Sequence, residues 1–365
     1  MFTLNETLRD QAADTAGIIF TGCNVSNDAH APGQAGGRRR QVVVGGRRVK
    51  TVDVHAHCHI PEALDLAGPE ARKAAIPEVR GAQQQVIVID ERLGAMDEEG
   101  IDVEALSINP FWYDLERDLA ARIVDIQNNK LAELCAAHPD RFVAFASLTL
   151  QFPELAVQQL EYAVKKLGLR GAAVGASVAG DELADQKFNP VWAKAEELGV
   201  LIFIHPQSTP ELNKRFKGNG WLANVIGNPL DTTIALSHLI FEGTLDRFPG
   251  LKICSAHGGG YLPSYAPRSD YGCSIAPAKC NPAINLKKKP TEYLRQMYFD
   301  SLVLSDEMLR HLAAQVGASQ IVIGTDHPIP WNASSVDHIL NAPGFSDDER
   351  RAMLGETAAR LLGIK

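Results

Sequence analysis

The sequence predicts an α/β protein: a single (β/α)8 barrel of the TIM type over residues 51–365, preceded by an N-terminal extension of residues 1–50. Three observations carry this. Eight short, near-continuous apolar runs follow one another from residue 51 onward, as strands buried on both faces of a parallel sheet do. Amphipathic helical patterns separate them, which is the alternation of a βα-repeat fold. The chain of 365 residues shows no internal repeat and no break in composition after residue 51. Barrels of this kind exceed the usual allowance of about 150 residues per domain.

In chain order, Asn24 to Arg40 is rich in Gly, Ala, Asn and Asp, ends in Arg38-Arg39-Arg40, and reads as a surface arm. Gln41 to His55 reads as two strands joined at Gly45-Gly46. The barrel strands are expected at Thr51–His55, Ile101–Ser107, Phe142–Leu148, Leu169–Gly175, Val200–His205, Leu251–His257, Met297–Ser301 and Gln320–Asp326. Between them Leu119, Ile123, Ile126 and Leu134 recur at helical spacing. Pro153 and Pro190 open two further helices, and Ser346-Asp-Asp-Glu349 is a capping box that starts the last one. Ala266–Pro290, with four prolines and three consecutive lysines, reads as an irregular excursion between units six and seven.

Composition narrows the function. A net charge of −8 argues against a nucleic-acid surface. The strongest apolar run, Val200–Ile204, is far short of a membrane span. Gly17–Phe20 is too short for a secretory core and follows Glu6, Asp10 and Asp14. The six cysteines form no CxxC pair, so they are expected to be mostly reduced thiols of a cytoplasmic protein.

The polar residues at strand ends are the informative part, because barrels of this type carry their chemistry there. Strand one ends in His55-Ala-His57, strand five in His205, strand six in His257 and strand eight in Asp326. With 11 His in 365 residues, an HxH triplet arises about 0.3 times per chain by chance, so alone it means little. A single His at a strand end is more often a structural residue, and Asp326 alone would serve as a cap. Jointly they mean more. Positions i and i+2 of a strand point the same way, so His55 and His57 can grip one ion that His205 and Asp326 approach from other strands. Three imidazoles and a carboxylate suit a divalent transition metal. The end of strand four, Ala173-Val-Gly-Ala-Ser177, has no lysine to bridge a second ion, which points to one metal. His59 adjoins the cluster where the chain leaves the strand. His327 follows Asp326 and is placed to line the pocket. His138, His238, His311 and His338 fall in or beside helices and read as structural.

Val52-Asp-Val-His-Ala-His57, Ile204-His-Pro206, Ser255-Ala-His-Gly-Gly-Gly260 and Ile323-Gly-Thr-Asp-His-Pro328 resemble the amidohydrolase superfamily. They resemble more narrowly the branch of 2-amino-3-carboxymuconate-6-semialdehyde decarboxylase and related decarboxylases. Arg92-Leu-Gly-Ala-Met-Asp-Glu-Glu-Gly-Ile-Asp102 and Leu245-Asp-Arg-Phe-Pro-Gly-Leu-Lys-Ile253 resemble that branch too. The likeness runs from Thr51 to the C-terminus and leaves the first fifty residues outside.

The resemblance implies one divalent metal, zinc first and manganese second, on His55, His57, His205 and Asp326. It implies His257 as an acid–base residue rather than a ligand, with Asp326 sharing in catalysis. By registration it also implies that Arg80 and Arg268 clamp a substrate carboxylate, Arg268 reaching into a neighbouring subunit of a homodimer. Arginine's planar fork suits that task. Trp221 is placed to stack on a flat substrate, and Phe111 and Trp112 end strand two. A core role fits these aromatics equally well. Gln207 stands where the branch has Trp, and His327-Pro328-Ile329 where it has Tyr-Pro-Phe, so the pocket wall differs. The expected activity is non-oxidative decarboxylation of a small unsaturated or aromatic acid. A metal-dependent hydrolase of an amide, lactone or carbon–carbon bond, or a hydratase, uses the same ligands.

Overall fold

The computed structural model describes residues 39–69, 89–109, 111–207, 209–329, 331 and 334–365, and the backbone of 20–24 and 83–87. All eight expected barrel strands are present. They are β1 (Val52–His57), β2 (Val103–Ser107), β3 (Phe142–Ala144), β4 (Gly171–Gly175), β5 (Leu201–His205), β6 (Lys252–Ser255), β7 (Tyr298–Asp300) and β8 (Ile321–Val322).

Every neighbouring pair is parallel. β1, β2 and β3 form one run, and β4 to β8 another. Two seams close the ring. Ala146 bridges Ala172 between β3 and β4, and Asp53 bridges Ile323 between β1 and β8. The backbone N–H groups of Val54 and Asp326 donate to Ile323 and His55 across the second seam at 2.9 and 2.8 Å. Small residues make the β4 wall: a Cβ on Gly171 would lie 1.9 Å from the Leu201 carbonyl oxygen. Inside the ring Phe145 and Phe203 stack at 5.8 Å, and Phe203 lies 5.1 Å from the His55 ring, so an apolar floor sits beneath the strand ends.

The helices pack outside. They include α1 (Ile89–Glu99), α2 (Arg117–Ala137), α3 (Pro153–Lys165), α4 (Asn189–Leu198), α5 (Asn228–Phe241), α6 (Leu262–Ile275) and α7 (Asp306–Val316). α2 buries Ile123 and Leu134 of the expected stripe. Proline occupies the first turn of α3 and of α4, where its missing N–H costs no bond. The capping box at Ser346 is formed, with Glu349 returning to the Ser346 N–H at 2.8 Å.

Three expectations need correction. Strands three, six and eight stop early, strand three at Ala144, and His257 and Asp326 sit on the loops beyond strands six and eight with φ of 53° and 59°. The excursion expected from Ala266 begins inside α6, which continues through Pro267. Cys273 and Cys280 are joined in a disulfide across the α6 end rather than being thiols. The hairpin at Gly45-Gly46 forms as expected, Val43 pairing Arg48 and Val44 pairing Arg47, with positive φ at both glycines as a two-residue turn requires. Its Val42, Val44 and Val49 are buried in the barrel core, and Arg40 and Arg48 pair with Asp337 and Asp102. Residues 39–50 of the extension thus pack directly on the barrel. Phe20–Asn24 pairs antiparallel with Gln83–Ile87.

Candidate active site

Each of the three expected imidazole ligands has its Nδ1 face occupied by an oxygen. His55 Nδ1 lies 2.6 Å from Asp300 Oδ2, His57 Nδ1 2.9 Å from Ser107 Oγ, and His205 Nδ1 2.8 Å from the Pro206 carbonyl. A neutral imidazole that donates from Nδ1 keeps its lone pair on Nε2. The Nε2 atoms of His55 and His57 approach each other to 3.0 Å and meet Asp326 Oδ1 at 3.2 and 3.1 Å. Ligand atoms of His55, His205, His257 and Asp326 all lie within 4.8 Å of one another. Lone pairs crowded this closely repel unless a cation or protons lie among them. The outward faces are held as imidazole metal ligands are usually held. The cluster therefore fits one divalent ion.

The electrostatics describe a site that draws positive charge to His55 and withholds it from His57 and His205. Burial lowers His205, and its imidazole neighbours push it well below the ordinary range. Burial likewise lowers His57. Burial alone would lower His55 also, but the charges of Asp326 and Asp300 outweigh it and raise His55 to about 10. Burial would raise Asp326, yet His55, with hydrogen bonds from His257 and His57, holds it well below the usual carboxylate range. The carboxylate is thus ready as an anionic donor without prior loss of a proton.

His257 approaches from the other side, its Nε2 3.7 Å from Asp326 Oδ2. Its ring is held on a loop of four successive positive-φ residues, His257 to Gly260. The glycines are required there. A Cβ on Gly258 would meet Val303 at 2.4 Å, and one on Gly260 the Pro229 carbonyl at 2.0 Å. Its Nδ1 is buried without a hydrogen bond among the described residues.

The remaining expected residues divide. Arg80 lies outside the described residues. Arg268 is exposed on α6 and carries no ion pair among the described residues. Trp221 is half exposed on the segment between β5 and α5. Phe111 is buried and stacks on Tyr113 at 5.8 Å. His59 is buried with Nδ1 unbonded among the described residues, and burial beside His57 lowers it to about 4, so it is neutral at pH 7. His327 places Nδ1 3.2 Å from Glu104, which the buried Arg92 holds at 2.8 Å.

Four site residues escaped the sequence reading. Ser107 and Asp300 sit at the ends of β2 and β7, the same signal that marked the others. Asn109 brings Nδ2 to 3.2 Å of His205 Nδ1, while its buried Oδ1 has no hydrogen bond among the described residues. Trp331 donates its indole N–H to Asp326 Oδ2 at 2.9 Å.

Comparison with known proteins places this geometry. The family described as Amidohydrolase matches residues 52–364. The 2-amino-3-carboxymuconate-6-semialdehyde decarboxylase of Dictyostelium discoideum is 31% identical over 278 residues, which are 75% of this chain and 76% of its own. The crystal structure of 5-carboxyvanillate decarboxylase from Sphingomonas paucimobilis superposes with a TM-score of 0.75 at 25% identity, covering 87% of this chain and 100% of that one. The dihydroxybenzoic acid decarboxylase from Polaromonas sp. JS666, solved with bound manganese and the inhibitor 2-nitroresorcinol, gives 0.72 at 26% identity, covering 87% and 97%. With these similarities and a His/Asp cluster at the carboxyl end of a parallel barrel, the chain belongs to the amidohydrolase superfamily, in its branch of metal-dependent decarboxylases.

Proposed function

We propose that this chain is a carboxy-lyase that removes carbon dioxide, without redox chemistry, from a small aromatic or unsaturated carboxylic acid. The observation that carries the reading is the pairing of an anchored His/Asp cluster with a separate imidazole, His257, set 3.7 Å from the far oxygen of Asp326. His55, His57, His205 and Asp326 would hold one divalent ion. A nitrogen-rich donor set favours zinc in affinity and accepts manganese, the metal of the Polaromonas relative. When bound there, a divalent cation would supply Lewis-acid polarisation of a substrate oxygen.

The chain's own groups do the rest. Protonated His257 delivers its proton to the carbon that bears the carboxylate. The bond from that carbon to the carboxylate then breaks, its electron pair stays with the carbon framework, and neutral carbon dioxide leaves. His257 regains its proton from solvent. Asp326 would hold the ion through the oxygen that faces His55 and His57 and keeps the other toward His257. Phe203 and Phe145 form an apolar floor beneath the His55 ring, and a charged carboxylate becoming a neutral gas gains from low polarity.

A homodimer is part of the proposal. α6 carries Tyr265, Tyr271 and Ile275 at 69%, 63% and 79% exposure on the helix that also presents Arg268. Large apolar side chains so exposed favour a partner surface, and a second copy would bring Arg268 to its neighbour's substrate, alongside Arg80. Trp221 is assigned to the same substrate as a stacking surface. A cytoplasmic location is the remaining element. Cys58, Cys135 and Cys254 are free thiols, and the Cys273–Cys280 pair is the feature that argues for an oxidising compartment. No helix among the described residues is long and apolar enough to cross a membrane.

The test is a headspace carbon dioxide assay on hydroxybenzoates and unsaturated dicarboxylates, with the protein loaded with zinc or manganese. Metal-dependent release supports the reading. Hydrolysis of amides or lactones with no carbon dioxide from any acid overturns it.

A further inference from the structure

The carboxylate that ends β7 has no place in the reaction as drawn, yet it is among the most heavily bonded groups in the molecule. Asp300 is fully buried. Its Oδ2 lies 2.6 Å from His55 Nδ1 and also accepts the His257 backbone N–H at 2.9 Å. Its Oδ1 accepts the N–H groups of Gly258 at 2.8 Å and Leu302 at 3.1 Å. One side chain therefore bonds a ligand on β1 and two residues of the loop after β6. It has no room to swing, since a Cβ on Gly324 would already lie 2.6 Å from the Asp300 Cβ.

The chemistry follows from the inventory of donors. His55, His257 and Gly258 all present N–H groups to Asp300, and an ionised carboxylate is acceptor-only. By taking the Nδ1 proton, Asp300 leaves His55 Nε2 as the lone pair facing His57 and Asp326. By holding two consecutive N–H groups of a left-handed loop, it fixes where the His257 ring starts. We propose that Asp300 is a positioning residue that joins metal binding to proton delivery, setting with one carboxylate both the ligand atom of His55 and the placement of His257. This rests on the reading of His55 as a ligand and of His257 as the proton carrier.

The consequence is specific. In Asp300→Asn the amide offers one acceptor oxygen where the carboxylate has two. Whichever way it turns, an NH2 group then faces either the His55 Nδ1–H or the loop N–H groups. Both functions should suffer, and substrate affinity should not.

The test uses the full chain in two arms. In 15N-histidine-labelled, zinc-loaded wild type, the nitrogen shifts of His55 should report a protonated Nδ1 and a metal-bound Nε2. In Asp300→Asn, chelator competition should show zinc affinity down by about 10- to 100-fold. At saturating zinc kcat should fall at least about tenfold while KM stays within about twofold. A metal-bound Nδ1 in His55, or zinc affinity in the variant within twofold of wild type, overturns the proposal. An unchanged kcat at saturating zinc overturns its second half. The tautomer arm needs no variant to fold, and neither the tautomer nor the affinity arm needs a substrate. Failure of the decarboxylase reading is therefore seen separately, as absence of carbon dioxide from wild type whose His55 and zinc affinity behave as stated.

Discussion

The Trp331 indole and the Asp326 carboxylate meet at 2.9 Å, through the oxygen that also faces His257. The other oxygen faces the Nε2 atoms of His55 and His57. The indole thereby fixes which oxygen of Asp326 turns toward His55 and His57 and which toward His257. Trp331→Phe keeps an aromatic ring and deletes the donor. A hydrogen bond to a charged acceptor contributes about 1.5 kcal/mol or more, so metal affinity is expected to fall roughly tenfold in a folded protein. Chelator competition measures this, and unchanged affinity would show that the contact does not orient Asp326.

His205 and His257 are separated by metal content. His205→Ala removes a donor from a cluster of few, so purified protein is expected to carry little metal. His257→Ala should keep close to one ion per chain and lose at least about a hundredfold in turnover, the usual share of general acid–base catalysis. Elemental analysis of both variants decides it. Metal-free His257→Ala would make His257 a ligand, which its membership of the group within 4.8 Å permits geometrically.

The barrel was legible because each strand is a short apolar run, and burial on both faces demands that. The clustered His and Asp residues were legible because a polar residue ending such a run is conspicuous. Asp300 ends β7 in the same way and was passed over, since an Asp beside a Ser in Phe299-Asp300-Ser301 has no metal-ligand partner in the chain around it. Its partners, His55 and His257, are brought to it only by closure of the barrel. Trp331 and Asn109 lie beyond strand ends, where side-chain direction follows from loop geometry rather than from the two-residue period. The left-handed turns at His257 and Asp326 were hidden for the same reason. Three glycines after His257 announce an unusual backbone, but nothing in them says that the turn begins one residue early.

That loop gives a sharp stability prediction. At Gly260 φ is 64° and ψ is −131°, a region nearly closed to residues with a Cβ. An alanine methyl would also fall 2.0 Å from the Pro229 carbonyl and 2.7 Å from Thr233 Oγ1. Gly260→Ala is expected to cost more than about 2 kcal/mol and to displace His257. Gly46 is the control. Its φ is 75°, but a Cβ there would meet nothing within 4 Å, so Gly46→Ala should cost about 1 kcal/mol. Thermal midpoints of the two variants give the comparison, and equal losses would place the loop elsewhere.

Asp231 sets a pH dependence away from the metal cluster. Burial raises its carboxyl to about 6, against the backbone N–H of Gln207, which lowers it, while Glu182 and Glu211 raise it further. Its folded value thus exceeds the unfolded one of about 3.9, and the folded state binds the proton more tightly. Stability from this group is full below about pH 4 and is lost as pH rises through about 6, leaving a cost of about 3 kcal/mol at neutral pH. Asp231→Asn keeps an acceptor for Gln207 without the charge. It should be more stable than wild type at pH 7.5 and equal to it at pH 4. Urea midpoints across that range measure the difference, and a pH-independent gap would contradict the assignment.

The proposed exchange of Arg268 between subunits can be read by complementation. Arg268→Ala and His257→Ala should each be nearly inactive alone. In a mixed dimer the chain with Arg268→Ala still has its own His257, and its partner still has arginine at 268. If the arginine serves the neighbour's site, that one site is whole. The second site lacks both groups. Random exchange makes about half of the dimers mixed, so co-refolded or co-expressed variants should regain about a quarter of wild-type activity. If Arg268 serves its own chain, every site lacks one group and mixing restores nothing. A monomer with full activity in light scattering would remove the exchange of Arg268 between subunits.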